Sequence, residues 1–426
     1  MVFRYPNFLY HCGARILWVL ASEMLAVAVG WQIYGLTHRP LDLGLVGLAQ
    51  FLPGIVLFLI AGHTADRVSR KGILETCMGG YALVSVLLYV FAASGLKTVY
   101  PIYLVLLLNG TARTFSMPAS QALLPTLVAE EHFPQAVAWA SSGLRAANIF
   151  GPVAGGLLYG ATASPLLVYA LATIAYLVAL LLYSRLRVKG SGRPRRESAR
   201  SAAMVFEGLR YIWQNKFVLG AISLDLFAVL LGGAVALLPA YARDILKVGA
   251  MGLGMLRSAP GVGAIGMALL LAHRPLGRRQ GSIMLWCVLG FGIFTVVFGF
   301  SRSVALSLVA LALTGAFDMV SVVVRSTMVQ LRTPDHMRGR VSAVNMLFIG
   351  ASNEFGQFES GITAQWFGTV AAVVLGGIGT IVVVAAWTWL FPELRETPVG
   401  QAGYPLGRPV PPAQTRRPHA RSDSGL

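Results

Sequence analysis

The chain has 426 residues, 56% of them hydrophobic and only 12% charged, with a formal net charge of +17. Soluble globular chains carry about 25% charged residues, so these figures exclude a multidomain soluble protein and imply one that is embedded in a membrane. The basic excess is divided among separate short stretches, which argues against the continuous basic surface of a nucleic-acid binder.

Hydropathy and turn signals divide the chain into twelve apolar stretches, near 10–36, 43–65, 73–94, 99–119, 136–161, 164–185, 217–242, 251–273, 282–301, 303–331, 339–366 and 369–391. Each is close to the roughly 20 residues a helix needs to cross hydrocarbon. A membrane β-barrel would alternate apolar and polar residues over shorter segments, and no such alternation is present. The expected fold is an all-α membrane protein of twelve transmembrane helices in two six-helix halves. The start, MVFRYPNFLYHC, lacks a cleavable leader pattern, so the first apolar run reads as a retained span.

In chain order, the first span holds one deep acid, Glu23. After the second span the uncharged run FLPGIVLFLIA meets GHTADRVSRKG (62–72), where Asp66 stands among the cations Arg67, Arg70 and Lys71. The fourth span carries Arg113, and the fifth carries Arg145 and the run GPVAGG (151–156). A strongly basic loop, RLRVKGSGRPRRESAR (185–200), follows the sixth span. Asp225 lies in the seventh span, Asp318 and Arg325 in the tenth, and Glu354 and Glu359 in the eleventh. The end, from Pro392 onward, is rich in Pro and Arg and reads as disordered. The expected organisation is an N-terminal half (1–187), a cytoplasmic basic central loop (188–216), a C-terminal half (217–392) and a disordered cytoplasmic tail (393–426). Most of the 34 Lys and Arg then fall on the side of both termini, which the positive-inside rule assigns to the cytoplasm, facing anionic lipid.

The halves carry a weak internal repeat. LVAEEHFPQAVAWASSGLRAANIFGPVAGG (127–156) aligns with LRTPDHMRGRVSAVNMLFIGASNEFGQFESG (331–361). Leu127, His132 and Val137 match Leu331, His336 and Val341. After one inserted residue, Asn148, Gly151 and Gly156 match Asn353, Gly356 and Gly361. The loop HRPLGRRQG (273–281) occupies the place of GHTADRVSRKG in the second half, with the cations but without the acid. Six-plus-six spans with parallel repeats are a transporter architecture, with the substrate site between the halves.

Ionisable groups inside spans are costly and are functional candidates by default. Asp318 and Arg325 are seven residues apart, on one helical face and about 10 Å from one another along the axis. An arginine that approaches or leaves a carboxylate changes its proton affinity, which makes Glu23 with Arg113, and Asp318 with Arg325, the expected coupling or substrate groups. Asp225, Glu354 and Glu359 rank after them as nearer to helix ends. Gly151, Pro152, Gly155 and Gly156 form a packing or hinge element, because glycine permits close approach and proline bends a helix. Asp66 can pair with an arginine or a helix N-terminus in one arrangement of the halves and lose that contact in another. The loop therefore reads as a conformational gate, with a topology anchor as the plainer alternative. Cys12, Cys77 and Cys287 have neither disulfide nor metal spacing. No ATP-binding loop, zinc motif or nucleophile elbow occurs. The reading is therefore not an enzyme and needs no cofactor.

GHTADRVSRKG resembles the G-x-L-x-D-R-x-G-R-[KR] signature of the major facilitator superfamily. Gly62, Asp66, Arg67, Arg70 and Lys71 match, while Thr64 replaces an apolar residue and Ser69 a glycine. GPVAGG resembles the G-P-x-x-G-G motif that is commoner in exporters and antiporters. ASQALLPTLV (119–128) and the segment 333–361 resemble the branch of enterobactin exporters and macrolide-efflux-type permeases, over about residues 8–392. The resemblance implies a monomeric, multi-pass protein of the bacterial inner membrane with both termini cytoplasmic. It implies proton-coupled efflux of an amphipathic small molecule (a siderophore, drug or metabolite), with the 62–72 loop stabilising the outward-open state. An importer, facilitator or lysophospholipid-type flippase of the same fold is the alternative. Trp18, Trp31, Tyr34, Phe51 and Trp139 suit an amphipathic substrate, although aromatic residues serve equally as interface anchors.

Overall fold

The computed structural model describes residues 2–187, 201–273 and 280–396. The basic run 188–200, the loop 274–279 and the tail from 397 lie outside the described residues, as do the side chains of Asp66 and Arg67 and the surroundings of Gly62. The first six long helices are α1 (Pro6–Thr37), α2 (Pro40–Arg67), α3 (Arg70–Ala93), α4 (Tyr100–Leu123), α5 (Phe133–Thr162) and α6 (Leu166–Ser184). A short helix, α7 (Ser201–Gln214), stands where a loop was expected, and α8 (Lys216–Leu231) and the one-turn α9 (Leu238–Ala240) follow. The last long helices are α10 (Gly249–His273), α11 (Gln280–Phe300), α12 (Val304–Arg332), α13 (Asp335–Phe367) and α14 (Thr369–Leu390), followed by α15 (Glu393–Glu396). Prolines open α1, α2, α4 and α5, in the first turn where a missing N–H costs nothing.

Nine helices among the described residues are long and apolar enough to cross a membrane, with α8 to Ile245 counted as one. The helices α4, α5 and α13 complete twelve crossings, at 24, 30 and 33 residues. They are less apolar because they carry Asn109 and Arg113, Arg145 and Asn148, and Asn353, Glu354 and Gln357. Twelve crossings return the chain to the face on which it starts, here termed the terminal face; the opposite face is termed distal.

The seventh crossing departs from the continuous helix expected over 217–242. It stops at Gly232 and Gly233, passes through a 3-10 turn (Ala234–Leu237) and α9, and ends in a π-type turn (Tyr241–Ile245). Adjacent glycines have the weakest helix propensity after proline, and Pro239 cannot donate a backbone hydrogen bond. The carbonyls of Val229 and Leu230 next to the break lie against Gly356, where an added methyl would meet them at 3.0 and 2.8 Å.

One buried cluster, which includes Trp18, Leu74, Tyr81 and Tyr176, is confined to the first six helices and the segments that join and flank them. A second, which includes Val218, Val288, Val324 and Val344, belongs to the last six crossings together with Ile212 of α7. A third joins Val27 of α1 to Leu237, Leu253, Phe298 and Ala364, all in the distal half of their helices. The two sets of helices are thus sealed together distally. On the terminal side no such cluster joins the two sets among the described residues, and Arg145 and Asn148 of α5 and Asn353 of α13 are exposed, which marks an opening between the sets.

Candidate functional site

Two ion pairs cross between the helix sets at the closed end of this opening. Arg113 of α4 donates to Glu354 of α13 at 2.8 Å, and the second carboxylate oxygen of Glu354 accepts from Gln357 at 3.2 Å. Glu23 of α1 pairs with Arg257 of α10 at 3.5 Å. In place of a direct Glu23–Arg113 contact the structure shows two pairs, each with a member from either set, while Arg113 stays within electrostatic range of Glu23. Spacing along one helix reveals which residues share a face, whereas partners across a cavity depend on how the helices tilt. Arg257 escaped the sequence reading although it is an arginine two turns inside an apolar helix, and that was its available signal.

Arg325 of α12 pairs with Asp225 of α8 rather than with Asp318. Both side chains are nearly inaccessible, at 3% and 9% exposure. Asp318 lines the same small void as Asp225 and Ser321, within electrostatic range of Asp225, Arg325 and Arg145. The Nε of Arg325 and the Oγ of Ser321 have no hydrogen-bond partner there. This pair lies wholly among the last six crossings, so it need not break when the two helix sets move relative to one another. Glu359 belongs to none of these pairs and lines a groove between α8 and α13.

Close backbone approach forms the distal seal. A methyl on Gly156 would lie 2.6 Å from the carbonyl oxygen of Ala250 and 3.0 Å from the Cα of Gly254, and one on Gly361 would lie 2.8 Å from the Cα of Gly44. Ser258 donates across the first contact to the carbonyl of Ile149 at 2.7 Å. A methyl on Gly151 would instead meet α1, 2.6 Å from the Cβ of Glu23, and one on Gly155 would meet the backbone of Met24, so Gly151 packs directly beside Glu23. Pro152 is buried in an uninterrupted α5. The aligned repeat has equivalent surroundings in the fold: Gly151 packs on the first crossing and Gly356 on the seventh, Gly156 on the eighth and Gly361 on the second. At the distal rim Tyr34 donates to Asp244, and the guanidinium of Arg243 lies 5.4 Å from the ring centre of Trp31.

On the terminal face the described part of the 62–72 loop ties helix ends together. Ser69 accepts from the N–H of Gly72 at 3.2 Å and caps α3. Arg70 donates to the carbonyl of Ala122 at the end of α4 at 2.8 Å, and Lys71 to those of Ser184 and Leu186 beyond α6 at 2.8 and 2.9 Å. Cations at helix C-termini satisfy orphan carbonyls and complement the helix dipole. On α7, Glu207 pairs with Arg340 at 2.7 Å and Tyr211 donates to the carbonyl of Arg332 at 3.1 Å, which fastens that helix to α12 and α13. No group of three or more metal-ligating side chains occurs among the described residues.

Two helix sets, sealed distally by backbone clasps and charge pairs and parted on the other side, form the scaffold of an alternating-access membrane transporter. Comparison with known proteins agrees. A family model described as transmembrane secretion effector matches residues 3–401, and the chain belongs to that family. The enterobactin exporter EntS of Shigella boydii serotype 4 (strain Sb227) is 28% identical over 386 residues, 90% of this chain and 91% of that protein. The enterobactin exporter of Escherichia coli O139:H28 (strain E24377A / ETEC) shows the same identity and coverage. A bacterial homologue of the human lysosomal transporter Spinster, solved inward-facing and unoccupied, has the same fold with a TM-score of 0.73 at 13% identity, covering 92% of this chain and 98% of its own. The nucleoside transporter NupG follows with a TM-score of 0.65 at 15% identity, covering 90% and 99%. The protein is a membrane transporter of the major facilitator fold, and its substrate is a small molecule.

Proposed function

We propose that the protein exports an amphipathic small molecule across the bacterial inner membrane in exchange for protons. The distribution of Lys and Arg assigns the terminal face to the cytoplasm, so the arrangement described is open inward and closed outward. The printed names of the exporter relatives support the direction.

The observation that carries the reading is the pair of ion pairs, Arg113–Glu354 and Glu23–Arg257, across the outer closure. Outward opening separates each acid from its arginine. On this reading each freed carboxylate takes up a proton from outside in the outward-open state. Return to the inward-open state restores both arginines, expels the protons into the inward-open cavity and resets the site. Substrate entering from the cytoplasm favours outward opening by competing with the same pairs. The two six-helix sets move as bodies in this cycle, with Asp66, Arg67, Arg70 and Lys71 gating the inner face and Gly151, Pro152, Gly155 and Gly156 serving as the packing hinge. Asp318 beside Arg325 is a second place for a coupling proton.

The test is untargeted mass spectrometry of medium and cells from strains producing wild type, Glu354→Gln or no transporter, at matched membrane levels. The expected result is a compound enriched outside with wild type, its medium-to-cell ratio reduced about tenfold or more in the variant, a change of about 1.4 kcal/mol or more in transport driving force or barrier. A compound that wild type instead accumulates inside the cells would reverse the direction.

A further inference from the structure

A groove of about 560 Å³ lies between α8 and α13. That volume is within the roughly 300–1,000 Å³ of small-molecule sites. Leu226 and Leu230 form one wall, and Phe355, Phe358, Ile362 and Trp366 the other. Phe355 and Trp366 are 42% and 75% exposed. On α13 the groove residues adjoin Gln357 and Gly361, which meet α2, and Phe355 on the groove wall itself meets Phe51 of α2 with ring centres 5.4 Å apart, so the groove opens beside the seam between the two helix sets.

One acid interrupts this apolar surface. Glu359 lines the groove, and Thr363 donates to its Oε1 at 2.7 Å. Among the described residues no cation pairs with it. The fold itself does not ask for an acid here, because the internal repeat offers a control. The alignment that pairs Asn148 with Asn353 and Gly151 with Gly356 pairs Phe150 with Phe355, and Ala154 with Glu359. The first half builds the equivalent face of α5 with an exposed phenylalanine, and it has alanine where the second half has the acid. A carboxylate among hydrocarbon is expensive, so its presence on one side of a pseudo-symmetric molecule points to a counter-charge delivered by a ligand.

Depth selects the ligand. Glu359 lies about 12 Å along α13 from its distal end at Phe367, at about 1.5 Å per residue. A phospholipid amine cannot reach it without carrying its phosphate into the hydrocarbon and toward a like charge. An amine on a purely hydrophobic body can. We propose that the groove between α8 and α13 binds lipophilic ammonium ions from within the bilayer, with Glu359 as their counter-charge. The hydrocarbon body lies along Leu230, Phe355 and Ile362, and an N–H donates to Oε2, the oxygen that Thr363 leaves free.

The test uses full-length protein in nanodiscs, with a bromoalkylamine as a contact quencher of tryptophan and the bromoalkanol of equal chain length as its neutral control. Saturable quenching by the amine is expected, lost in Trp366→Phe and retained in Glu359→Asp. In Glu359→Gln the apparent amine affinity falls about tenfold or more, to that of the alcohol on wild type, with the thermal unfolding midpoint unchanged. Equal affinity of amine and alcohol for wild type, or an amine affinity indifferent to Glu359→Gln, overturns the proposal. Saturable quenching that persists in Trp366→Phe places the amine elsewhere and overturns it as well.

Discussion

At the scale of single residues, two kinds of charge pair differ in what their loss does. Arg325 and Asp225 are almost entirely withdrawn from solvent, and removing one partner strands the other in a low dielectric, at a cost of about 3–5 kcal/mol. Asp225→Ala is therefore expected to lower the thermal unfolding midpoint of the purified protein in detergent. Restoring neutrality with Arg325→Met in the same chain recovers part of the loss. Arg257 and Glu23 are each about a quarter exposed, 26% and 29%, and pairs of that kind contribute about 1 kcal/mol or less. Arg257→Gln is expected to leave the midpoint nearly unmoved while altering transport. If the two variants unfold at the same temperature, the distinction between a structural pair and a gating pair is lost. Lys71 is a third case. Its Nζ serves two carbonyls at the end of α6, a contact within the first six helices.

At the scale of elements, the distal seal depends on backbone meeting backbone where α5 crosses α10 and where α2 crosses α13. The carbonyl of Ala250 and the Cα of Gly254 leave no room for a side chain on Gly156. Gly156→Leu is accordingly expected to wedge the seal and shift the population toward the distally open arrangement. Spin labels at His38 and Lys247, exposed positions on the distal side of either set, check this through a longer mean distance than in the parent. An unchanged distance distribution would mean that the clasp is not what holds this side shut. The glycines were legible in the sequence because the repeat placed Gly151 opposite Gly356 and Gly156 opposite Gly361, and hydropathy with turn signals likewise located the twelve crossings. The break in the seventh span was written as LGGA and LLPA, but hydropathy averages over such features. The partners of Glu23, Arg113 and Arg325 were not legible, since helical spacing carries no information about which helix tilts across a cavity. Glu359 was visible as an acid within a span, yet its place in the groove emerges only once α13 is packed against α2 and α8.

At the scale of the whole molecule, Arg113–Glu354 and Glu23–Arg257 bridge the two helix sets, and the proposed cycle makes that bridging the link between proton movement and rocking. On the proposed cycle, Glu23 and Glu354 exchange arginine for proton each time the halves move. Neutralising both separates the two processes. Glu23→Gln with Glu354→Gln removes the proton acceptors at the outer closure while the clasps at Gly156 and Gly361 remain. In proteoliposomes loaded with the compound identified by mass spectrometry, exchange of labelled for unlabelled substrate is then expected to persist within a few-fold of wild type. Uphill movement driven by an imposed pH gradient is expected to fall at least about tenfold, which corresponds to about 1.4 kcal/mol of lost coupling. Exchange must survive for the result to carry weight, because its loss would mark a jammed molecule rather than an uncoupled one. Should gradient-driven transport survive in the double variant, the coupling proton must reside elsewhere. Asp318, beside the buried Asp225 and Arg325, is then the group to neutralise next. It lies within the second half, so coupling there would have to run through rearrangement of α8 and α12 rather than through the contact between the halves.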